Sequence, residues 1–204
     1  MSYSQFKTIR SVKQAFDLTV IEGKRFLPEL PPLNPSGILQ EYLAETLPIV
    51  ATSGSEKARS EGIIYPMLLD VRRQQNHQIS LFSGEEFTVD ETVGLNGICD
   101  FLLTRSPDVL EIEAPVVVLI EAKKTDLKSG LGQCIAEMVA AQRFNQATQQ
   151  STIDVIYGCV SNGIQWQFLR LQDSTVSIDL TVYLLPPIGP VLADLVWMAQ
   201  GKLE

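Results

Sequence analysis

The sequence predicts an α/β fold, a central mixed β-sheet flanked by helices, with an N-terminal helical arm. Three observations lead there. Val116, Val117, Val118, Leu119 and Ile120, introduced by Pro115, form a β-branched and aliphatic run typical of a strand buried on both faces. A helical stretch, residues 133–146, separates that run from a second apolar strand at 154–160, and a strand–helix–strand unit of this length joins two parallel strands. Residues 164–169 and 176–180 then read as a terminal hairpin, adding antiparallel pairing to the sheet.

Taken in order, Ser11 and Gln14 have capping-box spacing, which predicts a short helix through residues 15–18. Pro28, Pro31, Pro32 and Pro35 forbid regular helix or central strand over 26–35. Residues 1–35 are therefore read as an arm and linker, and 36–204 as a single domain. Phe26, Leu27, Leu30 and Leu33 on that arm must pack on their own domain or on a neighbour's. Ser36 caps a helix over 38–45 that ends near Pro48. After a turn at Ser53-Gly54, Ser55 starts a longer helix over 56–73. Ile64, Leu68 and Val71 form its apolar stripe, and Pro66 is expected to kink it or mark a break. Glu61 falls on or beside its inward face. Residues 79–82 and 86–89 flank Ser83-Gly84 as a hairpin. The next strand, 95–103, carries Asp100 in its middle. The strand through Val116–Ile120 runs on into Glu121 and Lys123, which share a face because side chains alternate. In the following helix Leu131, Ile135, Met138 and Val139 face the core, and a last helix spans 191–198 after Pro186-Pro187.

Composition narrows the function. No apolar run approaches the length of a membrane span, and the first residues carry no signal-peptide core, so a cytoplasmic protein is expected. Cys99, Cys134 and Cys159 are far apart in apolar segments and His77 is the sole histidine, which argues against zinc and suits reduced thiols. A net charge of −8 argues against a protein that coats nucleic acid. It leaves room for an enzyme with a local basic groove. Lys123, Lys124, Lys128 and Arg143 either form one or are scattered solvated charge.

Glu61, Asp100, Glu121 and Lys123 are polar where the pattern calls for apolar or neutral residues, and Gln133 opens the next helix. Phosphodiester hydrolysis needs charge neutralised at phosphorus and a nucleophile made from water. Mg²⁺ on one or two carboxylates does both, and a lysine two residues from a ligand reaches the water and the phosphate together.

Asp100, followed by Glu121-x-Lys123 at the end of an apolar strand, resembles the PD-(D/E)XK (restriction-endonuclease-like) nuclease superfamily. The order of elements agrees: a helix with Glu61, a hairpin, Asp100, Glu-x-Lys, then a crossover helix. Gln133 resembles the extra glutamine of resolvase-like and exonuclease-like branches. Ser161-Asn162-Gly163-Ile164-Gln165-Trp166 resembles the Asn-Gly-x-x-Trp turn in nuclease domains of type I restriction subunits. The strings at 56–61 and 132–138 look like those of a bacterial, cyanobacterial-type group of the superfamily. The resemblance covers residues 55–170, with Cys99 where proline often precedes the aspartate.

The resemblance implies a restriction-endonuclease-like core and a Mg²⁺-dependent nuclease, with Mn²⁺ able to substitute, acting on DNA. Asp100 and Glu121 would bind the metal and Lys123 would orient water or stabilise the phosphate. Glu61 would support the metal through water, and Gln133 would position the cluster or the DNA backbone. Each residue has a plainer alternative: Asp100 as a strand cap, Glu61 as solvated helix surface, Gln133 as an ordinary helix N-terminal residue. A catalytically weak or inactive relative serving nucleic-acid binding or assembly with an unidentified protein partner stays open, as does a plain protein-interaction domain that keeps the fold without using the site. A homodimer with the proline-rich arm near its interface is expected, since cutting both strands takes two sites or two visits.

Overall fold

In the computed structural model, which describes residues 2–23, 25–52, 55–148 and 153–201, eight strands share one sheet. They are β1 (Thr19–Gly23), β2 (Ser80–Glu86), β3 (Ile98–Thr104), β4 (Val116–Ala122), β5 (Val155–Ser161), β6 (Gln165–Gln172), β7 (Thr175–Asp179) and β8 (Tyr183–Leu184). Their order is β1-β7-β6-β5-β4-β3-β2, with β8 also paired to β6. β4 pairs parallel with β5 and β1 parallel with β7, and every other pairing is antiparallel. The sheet is mixed, as the sequence predicts. All seven residues of β4 are buried, which its unbroken apolar run requires of a central strand covered on both faces.

Among the described residues six α-helices flank the sheet: α1 (Ile9–Phe16), α2 (Gly37–Val50), α3 (Glu56–Arg59), α4 (Tyr65–Gln74), α5 (Lys128–Ala147) and α6 (Ile188–Gln200). Two apolar cores result. Leu39 of α2, Leu68 of α4 and Leu195 of α6 meet one face of the sheet. Val12, Ile135 and Met138 of α1 and α5 meet the other. α5 is the crossover between β4 and β5. Among the described residues no helix is long and apolar enough to cross a membrane.

Four local readings change. Ser83-Gly84 is not a hairpin turn: β2 runs through it, pairing Ser83 with Phe101 and Glu85 with Cys99, while Gly84 takes φ +69 within the strand. The connection is the longer segment 87–97, whose short 3₁₀ turn Glu91–Val93 is capped by Asp90. α1 starts earlier than predicted because Thr8, not Ser11, is its cap. Thr8 Oγ1 accepts from the Ser11 N–H at 3.1 Å, and Ser11 Oγ donates back to the Thr8 carbonyl at 2.7 Å. α2 continues through Pro48 to Val50 because Leu43 and Val50 stay buried on both sides of the proline. The predicted turn at Ser53-Gly54 lies outside the described residues.

The expected kink is a π-helical turn, Ser60–Ile64, just before Pro66. A π turn inserts one extra residue and frees backbone carbonyls. Here α2 supplies their partners: Thr46 Oγ1 donates to the Gly62 carbonyl at 2.8 Å and Tyr42 donates to that of Glu61 at 3.4 Å.

The N-terminal region is built into the domain. α1 packs against α5 and β1 forms one edge of the sheet; both were read as part of a separate arm. Only residues 25–35 run as an extended strap. Leu27 is buried, the Phe26 ring stacks on Tyr157 at 6.5 Å, and the Leu33 N–H donates to the Gly189 carbonyl at 3.2 Å. Arg25 anchors the strap, its guanidinium 2.5 Å from an oxygen of buried Asp194. Of the two packing choices open to the strap, the observed one is its own domain.

Candidate active site

The antiparallel ladder of β3 and β4 pairs Leu102 with Leu119 and Phe101 with Ile120. Beyond it the strands deliver Asp100 and Glu121 to the same end of the sheet. Asp100 turns its Oδ2 to accept the Ala122 N–H at 2.8 Å, and its Oδ1 makes no hydrogen bond among the described residues. It lines an open cavity of about 460 Å³ with Glu56, Lys57, Ser60, Glu61 and Tyr65.

Glu121 is almost completely buried and both its oxygens are held. Lys123 Nζ donates to Oε1, and Gln133 Nε2 donates to Oε2 at 2.9 Å. Gln133 Nε2 also donates to Glu137 Oε1 at 3.1 Å, one helical turn further along α5. Glu137 is fully buried, and among the described residues no hydrogen-bond donor reaches its Oε2. Gly130 makes room for Lys123: a Cβ there would stand 3.0 Å from the lysine Cγ and Cε and 2.8 Å from Val160.

The electrostatics follow from burial of like charges. Burial, and then repulsion from Asp100, push the Glu121 carboxyl up to about 7 despite the ammonium of Lys123 beside it. Glu137 is held well above the ordinary carboxylate range by burial and by Glu121. Burial raises Asp100 also, offset by the Ala122 N–H and by Lys123. For Lys123 burial acts downward, but Glu121, Asp100 and Glu56 outweigh it and raise the ammonium.

The loop carrying Lys123 is clamped by the turn after β5. The Lys123 N–H donates to the Ser161 carbonyl at 2.8 Å. Asn162 Oδ1 accepts the Ile164 and Gln165 N–H groups, and its Nδ2 donates to the Thr125 carbonyl at 3.2 Å. Arg59 Nη1 donates to the Asn162 carbonyl at 3.3 Å, tying α3 to the same point.

Asp100, Glu121, Lys123 and Gln133 thus converge. Glu61 does not join them. Its side chain is 67% exposed at the cavity rim and 3.7 Å from Lys57, because the π turn swings it outward while Gly62, Ile63 and Ile64 are buried. The helix acid whose charge reaches Asp100 and Lys123 is Glu56. Arg143 is drawn away to Asp90 at 3.3 Å, while Lys124 and Lys128 are exposed. Sequence reasoning passed over Glu137, although an acid four residues after Gln133 in an apolar helix occupies the same face.

Among the described residues no group of three or more histidine, cysteine, aspartate or glutamate side chains is arranged to hold a metal ion. The donor set nevertheless fits Mg²⁺, which needs only one or two protein carboxylates and keeps several waters. Among the described residues one Asp100 oxygen has no hydrogen-bond partner and stands beside open space, and a cation there would relieve the repulsion between Asp100 and Glu121. No protein-family profile matches the chain, and no curated protein matches it.

Proposed function

We propose that the chain is a Mg²⁺-dependent nuclease of the restriction-endonuclease-like type that hydrolyses DNA phosphodiester bonds, with Mn²⁺ able to substitute. The observation that supports this reading is the convergence of Asp100, Glu121, Lys123 and Gln133 at the ends of two neighbouring central strands, beside an open cavity.

Asp100 and Glu121 would hold the ion, which when bound neutralises phosphate charge and lowers the pKa of a water. Lys123, fixed through Glu121, presents an ammonium that orients the attacking water and donates to a non-bridging phosphate oxygen. Gln133 holds the other oxygen of Glu121, so the carboxylate keeps one orientation. Glu56 and Glu61 line the same cavity and would accept hydrogen bonds from water around the site. The three free, buried cysteines support a reducing, cytoplasmic setting.

One observation favours a second reading, a nuclease-fold subunit without catalysis that binds nucleic acid or a protein partner: both Glu121 oxygens are already engaged. The test is cleavage of plasmid and single-stranded DNA with Mg²⁺ or Mn²⁺ against EDTA. The nuclease reading expects metal-dependent cleavage that falls by about 10²-fold or more in Lys123→Ala and Glu121→Gln. Intact DNA under every condition rejects it and leaves the subunit. Light scattering of the full chain decides whether the two strands are met by a homodimer or by one copy visiting twice.

A further inference from the structure

On a chain of net charge −8, one face carries the opposite sign. The first sixteen residues hold Lys7, Arg10 and Lys13 and no acid. Arg10 and Lys13 are three residues apart on α1, the spacing of one helix face, while Val12 on the other side is buried. Segment 6–8 crosses α5 in contact with Gly132, the neighbour of Gln133. The crossing brings Lys7 beside Lys128 of α5.

The two pairs of cations line adjoining cavities. One, of about 390 Å³, is bordered by Lys7, Lys128 and Leu131; the next, of about 520 Å³, by Arg10 and Lys13. The cavities share Ile9 and Glu22 as lining residues, so they adjoin as a groove, and among the described residues Glu22 is the single acid lining them. Asp126 lies nearby, but its carboxylate accepts the Lys128 backbone N–H at 3.0 Å. Among the described residues none of the four cations has a carboxylate partner within ion-pair distance, unlike Arg25, Lys57, Arg73, Lys123 and Arg143.

The groove and the candidate site both meet the first turn of α5. Lys128 and Gly130 share the first turn of α5, and Lys123 lies against Gly130. We propose that the groove lined by Lys7, Arg10, Lys13 and Lys128 carries the phosphate backbone of DNA away from the site, a proposal that rests on the nuclease reading. Unpaired cations in a line are recognition elements for a repeating anion. A membrane surface fits less well, because the apolar side of α1 is turned into the core and leaves no apolar face to insert.

The experiment is fluorescence anisotropy of a labelled short duplex in EDTA over a salt series, with cleavage assayed in parallel in Mg²⁺. Lys7→Gln, Arg10→Gln, Lys13→Gln and Lys128→Gln combined are expected to weaken binding more than tenfold at low salt. The slope of log K against log salt should fall by about one for each cation removed. Exchanging lysine and arginine at all four positions is expected to retain binding. If the combined variant melts early, the four single variants carry the test, each lowering the slope by about one. Affinity and slope equal to wild type overturn the proposal, as does wild-type binding to phosphatidylserine vesicles but not to DNA. The two readings fail separately. Unimpaired cleavage by Glu121→Gln removes the site assignment and leaves the binding result standing. Cleavage lost in Glu121→Gln but unaltered in the combined variant removes the groove alone.

Discussion

Between pH 4.5 and about 7 the folded chain holds a proton on Glu121 that the unfolded chain releases. More protons bound in the folded state means that stability falls as pH rises through that window and is regained on acidification. Asp100 is raised in the same direction. Without metal, the melting temperature is therefore expected to be higher at pH 5 than at pH 8, as long as the rest of the molecule is unaffected by acid. Glu121→Gln removes the buried charge and is expected to stabilise the protein at pH 8 by roughly 1–3 kcal/mol, or several degrees in melting temperature. A thermal melt monitored by circular dichroism checks both. Mg²⁺ should raise the melting temperature of the wild type but not of Asp100→Asn with Glu121→Gln, since a ligand that binds only the folded state stabilises it. Gly130→Ala is expected to push Lys123 out of place and lower cleavage, and to lower the melting temperature as well because the same Cβ meets buried Val160, measured as kcat beside the melting temperature. At this scale the pair Asp100 and Glu121, with Lys123, was readable because charges interrupt strands that otherwise have no use for them. Glu137 was masked by an apolar helix that looks like core, and the outward turn of Glu61 by a change of helical pitch that periodicity does not register.

The π turn explains that miss and can be tested directly. Deleting Ser60 would let residues 56–74 close into continuous α-helix, rotating everything before the deletion by about 100°. Glu56 and Lys57 would leave the cavity rim, and the bonds from Tyr42 and Thr46 to the freed carbonyls would be lost. The expected result is a folded protein with weakened metal binding, measured by the Mg²⁺-dependent shift in melting temperature. The long apolar elements, β4, β5 and α5, were legible because their periods are strong and their lengths unambiguous. β1 was not: Thr19–Gly23 is a short edge strand whose partner, β7, lies at the other end of the chain. The hairpin at Ser83-Gly84 was misread because a glycine suited to a turn also fits a positive φ inside a strand.

The order of the sheet sets what can be removed. Tyr3, Phe6, Val12, Leu18 and Leu27 are buried in the two cores, so deleting residues 1–35 strips apolar packing from both sides of the sheet. At about 1.5–3 kcal/mol for each large side chain, the loss is comparable to the whole stability of a domain. The truncated chain is expected to be unfolded or aggregated, with flattened near-ultraviolet circular dichroism, instead of forming a folded monomer. The central place of β4 carries a further consequence. Its backbone is bonded to β3 on one side and β5 on the other, and all its side chains are enclosed. A strand so placed has no partial opening of its own. Its amide protons will exchange with solvent only when the entire chain unfolds, and the cleft at its end will keep its shape until that same event.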